Sequence, residues 1–180
     1  SPDIVRVYKE PVSRPCKKVS IPIIMKPGRV ELSFGGGGGV ATVASERVAV
    51  SVDTETGGIV FADKQGNIML RDKDYGTQFT PRDDAGRPSF EVRQAFLLDS
   101  AEVIYGLGQQ QTGLVSQRNQ RLLLRNQNMS ICIPFVHSAK GYGLYWDNYS
   151  PTTFTDNPQE MSFDSEVGDC ADYYFIYGGT

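Results

Sequence analysis

Few residues in this 180-residue chain have the types and spacing that catalysis needs. His137 is the sole histidine, so a histidine metal cluster or a Ser-His-Asp triad would rest on it alone. Its setting, Pro134-Phe135-Val136-His137-Ser138, reads as a strand end, and a hydrogen-bonded structural role is expected. Asp83-Asp84 is an adjacent carboxylate pair with the composition of a catalytic dyad. Neighbours along a strand point to opposite faces, and neighbours in a loop often diverge, so a solvated loop is expected there instead. Cys16, Cys132 and Cys170 are odd in number and match no zinc or redox spacing. They read as three buried small hydrophobes, with one disulfide plus a spare thiol as the alternative. The glycine run Gly35 to Gly39 is followed by no Lys-Ser/Thr pair and opens no helix, so it reads as a flexible hairpin tip and not a phosphate cradle. No metal site and no cofactor are expected from this inventory.

The elements that would position these residues read as strands. Val48, Val50 and Val52 alternate with Ala49 and Ser51, the period of a half-buried strand. Asp53 to Gly58 and Asp63 to Asn67 supply turns around Ile59-Val60-Phe61, and Ile68-Met69-Leu70 follows, the pattern of a meander. Further strands are expected at Arg29 to Phe34, Phe90 to Leu98, Arg121 to Arg125, Ser130 to Val136, Tyr142 to Trp146 and Asp172 to Tyr177. Tyr75 to Pro88 and the Gln-rich Leu107 to Asn119 read as loops. No stretch carries a capped helical period, and an antiparallel β-sandwich is the architecture expected.

Composition narrows the partners. Hydrophobic residues make up 39% and charged residues 22%, and the net charge is -3. No basic stripe suits nucleic acid, and no apolar run is long enough for a helical membrane span. Ser1-Pro2-Asp3 does not read as a signal peptide.

Four motifs occur in order in the second half. They are Tyr105-Gly106-Leu107-Gly108-Gln109, then Ile133-Pro134-Phe135, then Gly141-Tyr142-Gly143-Leu144-Tyr145-Trp146-Asp147-Asn148, then Asp172-Tyr173-Tyr174-Phe175-Ile176-Tyr177-Gly178-Gly179. This series resembles the N-terminal domain of glycoside hydrolase family 31, the α-glucosidase and α-xylosidase family, and within it the bacterial α-xylosidases. The resemblance implies an all-β galactose-mutarotase-like supersandwich over residues 1–180, packed in the parent hydrolase on a catalytic (β/α)8 barrel. The family's catalytic aspartates lie on that barrel, so the resemblance implies no catalytic residue here and no hydrolysis by these 180 residues. Implied partners are the barrel and an α-linked xylosyl or glucosyl oligosaccharide. A periplasmic or secreted location is the matching expectation.

In the family, a loop between the first two motifs reaches over the barrel mouth and helps build a sugar subsite, often through an aspartate. Here that region holds no carboxylate from Gln109 through Ser130, and the amides Asn126, Gln127 and Asn128 stand near its end. An amide both donates and accepts, so these three are the candidate substrate-binding residues; alternatively they close a turn before Ile131. Trp146, the lone tryptophan, follows Tyr142 and Leu144 at period two, which favours core packing over sugar stacking. Both faces of Asp172 to Tyr177 are apolar, so this strand is expected to be central or covered by the barrel, leaving an apolar patch on the chain alone. The competing reading is a free-standing carbohydrate-binding or structural sandwich module. An immunoglobulin-type domain would be shorter, despite the order Cys132-Trp146-Cys170. Sugar epimerase chemistry is disfavoured by the single histidine.

Overall fold

A computed structural model describes residues 1–179 as two antiparallel sheets. Fifteen strands run in chain order: β1 Ile4–Lys9, β2 Ser33–Gly37, β3 Val40–Ala44, β4 Val48–Asp53, β5 Ile59–Asp63, β6 Ile68–Asp72, β7 Gln78–Asp84, β8 Arg87–Leu97, β9 Ile104–Gln109, β10 Arg121–Leu124, β11 Ile131–Ser138, β12 Tyr142–Trp146, β13 Thr152–Asn157, β14 Glu160–Gly168 and β15 Ala171–Tyr177. The smaller sheet has the order β1-β15-β12-β11-β9. The larger runs β10-β13-β14-β8-β6-β5-β4-β3-β2, with β7 paired to β8. Among the described residues no helix is long and apolar enough to cross a membrane.

Aromatic side chains from the two sheets meet in the core, where period-two alternation turns every second residue inward. Phe61 of β5 stacks on Phe175 of β15 with centroids 4.5 Å apart, and Phe96 of β8 meets Tyr173 of β15 edge-on at 5.2 Å. Trp146 of β12 stacks on Phe163 of β14 at 5.6 Å. Its ring is fully buried and its Nε1 donates to Ser165 Oγ at 2.9 Å, so the indole is a core group with its one polar atom satisfied. Burial of each such ring contributes roughly 2–3 kcal/mol from surface removed from water.

β15 is central, between β1 and β12, and its inner face carries the buried Tyr173 and Phe175. The opposite face is covered by the chain's own N-terminal segment. Lys18 Nζ contacts Asp172 Oδ2 at 3.0 Å and Asp147 Oδ2 at 3.1 Å, while the Ile21 amide donates to the Tyr149 hydroxyl at 2.8 Å. Farther along, the segment stands off the sheet over an apolar groove of about 1200 Å³ bordered by Ile23, Met25, Val30, Phe135 and Tyr145. The expected apolar patch is therefore a groove under a strap, with Tyr174 only 7% exposed.

Several expectations need correction. Tyr75 to Pro88 contains β7, which pairs with β8 from Gln78↔Arg93 to Asp84↔Arg87. Pro81 sits within it because β7 has only one partner strand, and an edge tolerates a missing donor. Asp83 and Asp84 are exposed at the end of this hairpin, where Asp83 Oδ1 accepts the Gly86 amide at 2.7 Å. Gly35, Gly36 and Gly37 belong to β2, paired with Thr42, Ala41 and Val40, and only Gly38-Gly39 form the tip. The strand expected at Arg29 to Phe34 begins at Ser33. His137 lies within β11, exposed beside the Tyr105 ring, and its imidazole has no hydrogen bond among the described residues. The cysteines are all free; Cys170 is buried, whereas Cys16 and Cys132 are half-buried.

Candidate functional site

The four motifs converge on the smaller sheet. Gly106, Leu107 and Gly108 have φ of 111°, 66° and 84°. Three successive left-handed residues kink β9 and press it against β11, where the register shifts between Cys132 and Val136. A Cβ on Gly106 would lie 2.3 Å from the Phe135 carbonyl oxygen, and one on Gly108 would lie 2.1 Å from that of Ile131. Backbone cannot yield to such contacts, so both glycines are sterically required. Leu107 pays the left-handed strain between them and is fully buried. The Phe135 ring in turn lies on Gly143 of β12, whose Cβ would be 2.4 Å from Phe135 Cζ.

This kink directs the chain into two loops. Residues 110–120 connect β9 to β10, and residues 125–130 connect β10 to β11. The later half of the first loop is anchored. Gln117 donates its amide to Ile104 O at 2.8 Å, Arg118 Nε donates to Asp156 Oδ2 at 2.9 Å, and the Asn119 amide donates to the same oxygen at 2.6 Å. Its earlier half projects Leu114 and Val115 into solvent, 53% and 77% exposed. Sequence reasoning did not single out Arg118, Asp156 or the left-handed Leu107; the flanking glycines were the available signal for the last.

The candidate amides separate into two roles. Asn126 Oδ1 accepts the Cys132 amide at 2.7 Å, which satisfies β11 where its register slips. Gln127 and Ser130 exchange backbone hydrogen bonds of 3.1 and 3.2 Å, closing a tight turn with Met129 at φ 70°. The side chains of Gln127 and Asn128 are exposed at that turn and make no hydrogen bond among the described residues. Turn closure thus falls to Asn126 and the backbone, and two amides stay available to a hydroxyl-rich ligand. Around them lie the exposed Leu123, Met129, Ile131 and Ile133, flanked by the exposed Arg121 and Arg125.

Behind the loops stands a buried polar hub that the sequence did not announce. Glu102 accepts from Ser138 Oγ at 2.6 Å and from the Tyr142 hydroxyl, and lies 3.4 Å from Lys140 Nζ. Burial, with the nearby Glu102 charge, pushes the Tyr142 phenol well above its ordinary range, so it stays protonated and donates. This hub ties the start of β9 to the β11–β12 turn and fixes the frame from which the loops project. Among the described residues no group of His, Cys, Asp or Glu is arranged to hold a metal ion.

Two loops thus project from one end of the smaller sheet of this sandwich, and comparison with known proteins identifies its family. The chain belongs to the glycoside hydrolase 31 N-terminal galactose mutarotase-like domain family, whose model matches residues 1–156. It is 31% identical over 174 residues to an α-xylosidase of Saccharolobus solfataricus, covering 88% of this chain and 23% of that protein. The crystal structure of a family 31 α-xylosidase from Xanthomonas citri superposes with a TM-score of 0.82 at 29% identity, covering 86% of this chain and 17% of that one. A soil-metagenome α-xylosidase solved with xylose gives a TM-score of 0.85 at 19% identity over 99% of this chain and 29% of that one, a likeness of fold. The chain thus spans less than a third of the length of each of these relatives.

Proposed function

We propose that this domain works as the non-catalytic N-terminal part of a retaining α-glycosidase, an α-xylosidase or α-glucosidase, bracing a catalytic barrel and lending its loop end to the sugar subsite. The observation that carries the reading is the convergence of the kinked β9, Phe135 and Gly143 on two projecting loops, in a chain whose relatives include named α-xylosidases. The exposed Gln127 and Asn128 amides supply hydrogen bonds to a sugar hydroxyl, and the apolar strip of Leu123, Ile131 and Ile133 packs on the barrel. The ligand class is an α-linked xylosyl or glucosyl oligosaccharide. Hydrolysis itself needs two carboxylates flanking the scissile bond, and these belong to the barrel. The α-xylosidase likeness also favours a periplasmic or secreted location.

Steady-state kinetics of the longer hydrolase test the subsite. With Asn128→Ala or Gln127→Ala, KM for an α-xyloside rises several-fold while the melting temperature holds. Unchanged kinetics in both variants would remove these amides from the subsite.

A further inference from the structure

Ion pairs tie the N-terminal strap to β15 and to the turn that leads into it. Lys18 Nζ reaches Asp172 Oδ2 at 3.0 Å. Arg14 Nη1 lies 3.8 Å from Asp169 Oδ1, a second ion pair between the strap and this part of the chain. Cys16 lies between the two cations of the strap and Cys170 between their two carboxylates, so the strap carries Cys16 past Cys170.

Local hydrogen bonds hold that end of the strap. Tyr8 of β1 pairs with Asp172 across the ladder, and its hydroxyl donates to the Cys16 carbonyl at 2.6 Å. The Cys16 amide donates to Glu10 Oε2 at 2.8 Å. Glu10 follows Lys9, which pairs with Ala171, the neighbour of Cys170. Of the two cysteines brought together here Cys16 is half-buried and Cys170 buried, while Cys132 stands apart on β11.

We propose that Cys16 and Cys170 form a reversible disulfide that locks the N-terminal strap onto β15. The oxidant is a low-molecular-weight disulfide of the glutathione class. The half-buried Cys16 thiolate attacks one glutathione sulfur, forms a mixed disulfide and releases one glutathione thiolate. Cys170 then loses its proton and its sulfur attacks the Cys16 sulfur, releasing the second glutathione. Two protein thiols are oxidised, one glutathione disulfide is reduced to two thiols, and the protons from the cysteines end on those thiols. Cys16 is half-buried and reachable whereas Cys170 is buried, so Cys16 is the entry point and Cys170 the resolving thiol; burial also pushes the Cys170 thiol up to about 12. The closed loop joins the β1 end of the strap to the strand it crosses, supplementing the Lys18 ion pairs with a covalent link.

The test is peptide mapping of the 180-residue chain after equilibration in glutathione redox buffers, acid quenching and alkylation of remaining thiols. The expected product is a Cys16–Cys170 linked peptide, lost on reduction, present in Cys132→Ser and absent in Cys16→Ser. A chain that keeps both thiols alkylatable in fully oxidised glutathione, that stops at a glutathione adduct on Cys16, or that links Cys132 instead would overturn the proposal. Cys16→Ser changes a half-buried position, so its mapping stays informative even where a Cys170→Ser chain does not fold.

Discussion

The Phe135 ring rests directly on the α-carbon of Gly143, across neighbouring strands of the smaller sheet. The Ile-Pro-Phe and Gly-Tyr-Gly motifs are therefore two halves of one contact: the aromatic ring needs a position with no side chain, and the glycine supplies it. The same phenylalanine's carbonyl closes the space over Gly106, so the first motif belongs to the contact as well.

Gly143→Ala follows directly. Its new Cβ would sit 2.4 Å from Phe135 Cζ, so the ring, which borders the apolar groove, must leave its place on the glycine. Overpacking of this kind costs about 1–3 kcal/mol. In the Phe135→Ala background the same substitution has little further effect, and a urea-unfolding double-mutant cycle measures the coupling. Equal losses in both backgrounds would mean that the ring and the glycine are independent.

How much of this was legible in the sequence differs from element to element. Strands with strict alternation, such as Val48-Ala49-Val50-Ser51-Val52, announced themselves, and the four motifs named the domain type. Thr152–Asn157 escaped because its inward residues include Thr152 and Asp156, whose buried polar groups mask the period. Its partner Glu160–Gly168 was equally hidden by Ser162 and Ser165 on a buried strand. Gln78–Asp84 escaped because Pro81 and the paired aspartates argue for a loop, a rule that relaxes on an edge. The Lys18 clasp was invisible because it joins residues more than a hundred positions apart. For the candidate site, the loop and its amides were readable, but their division of labour was not, since only the fold shows that Asn126 serves the Cys132 amide.

Asn126 and Asn128 consequently respond differently to replacement. Asn126→Ala leaves the Cys132 amide without its partner where β11 slips register, a loss of about 0.5–1.5 kcal/mol. Asn128→Ala leaves the stability of the isolated domain within about 0.5 kcal/mol, as expected for an exposed side chain without partners. Chemical denaturation of the two variants checks the pair; equal effects would contradict the assignment.

Acid should loosen the turns of the larger sheet. The Asn67 side-chain amide, with the backbone amides of Asn67, Gln65 and Gly66, holds the Asp63 carboxyl below its ordinary value despite an opposing desolvation contribution. A depressed folded-state value means that this contribution is fully present above the unfolded value near 3.8 and is lost as pH falls through the folded one. Urea midpoints collected between neutral and strongly acidic pH should fall less steeply for Asp63→Asn than for the parent chain. An identical slope would show that Asp63 does not contribute to the acid sensitivity.

The measurement that bears most directly on the central claim is hydrolysis of chromogenic α-xylosyl and α-glucosyl substrates by two proteins, the 180-residue domain and a longer protein of the proposed kind, in which the domain is joined to a barrel. The account predicts turnover by the longer protein alone, with the preferred sugar deciding between α-xylosidase and α-glucosidase. Turnover by the 180-residue domain would contradict it, because the catalytic carboxylates would then lie within this sandwich.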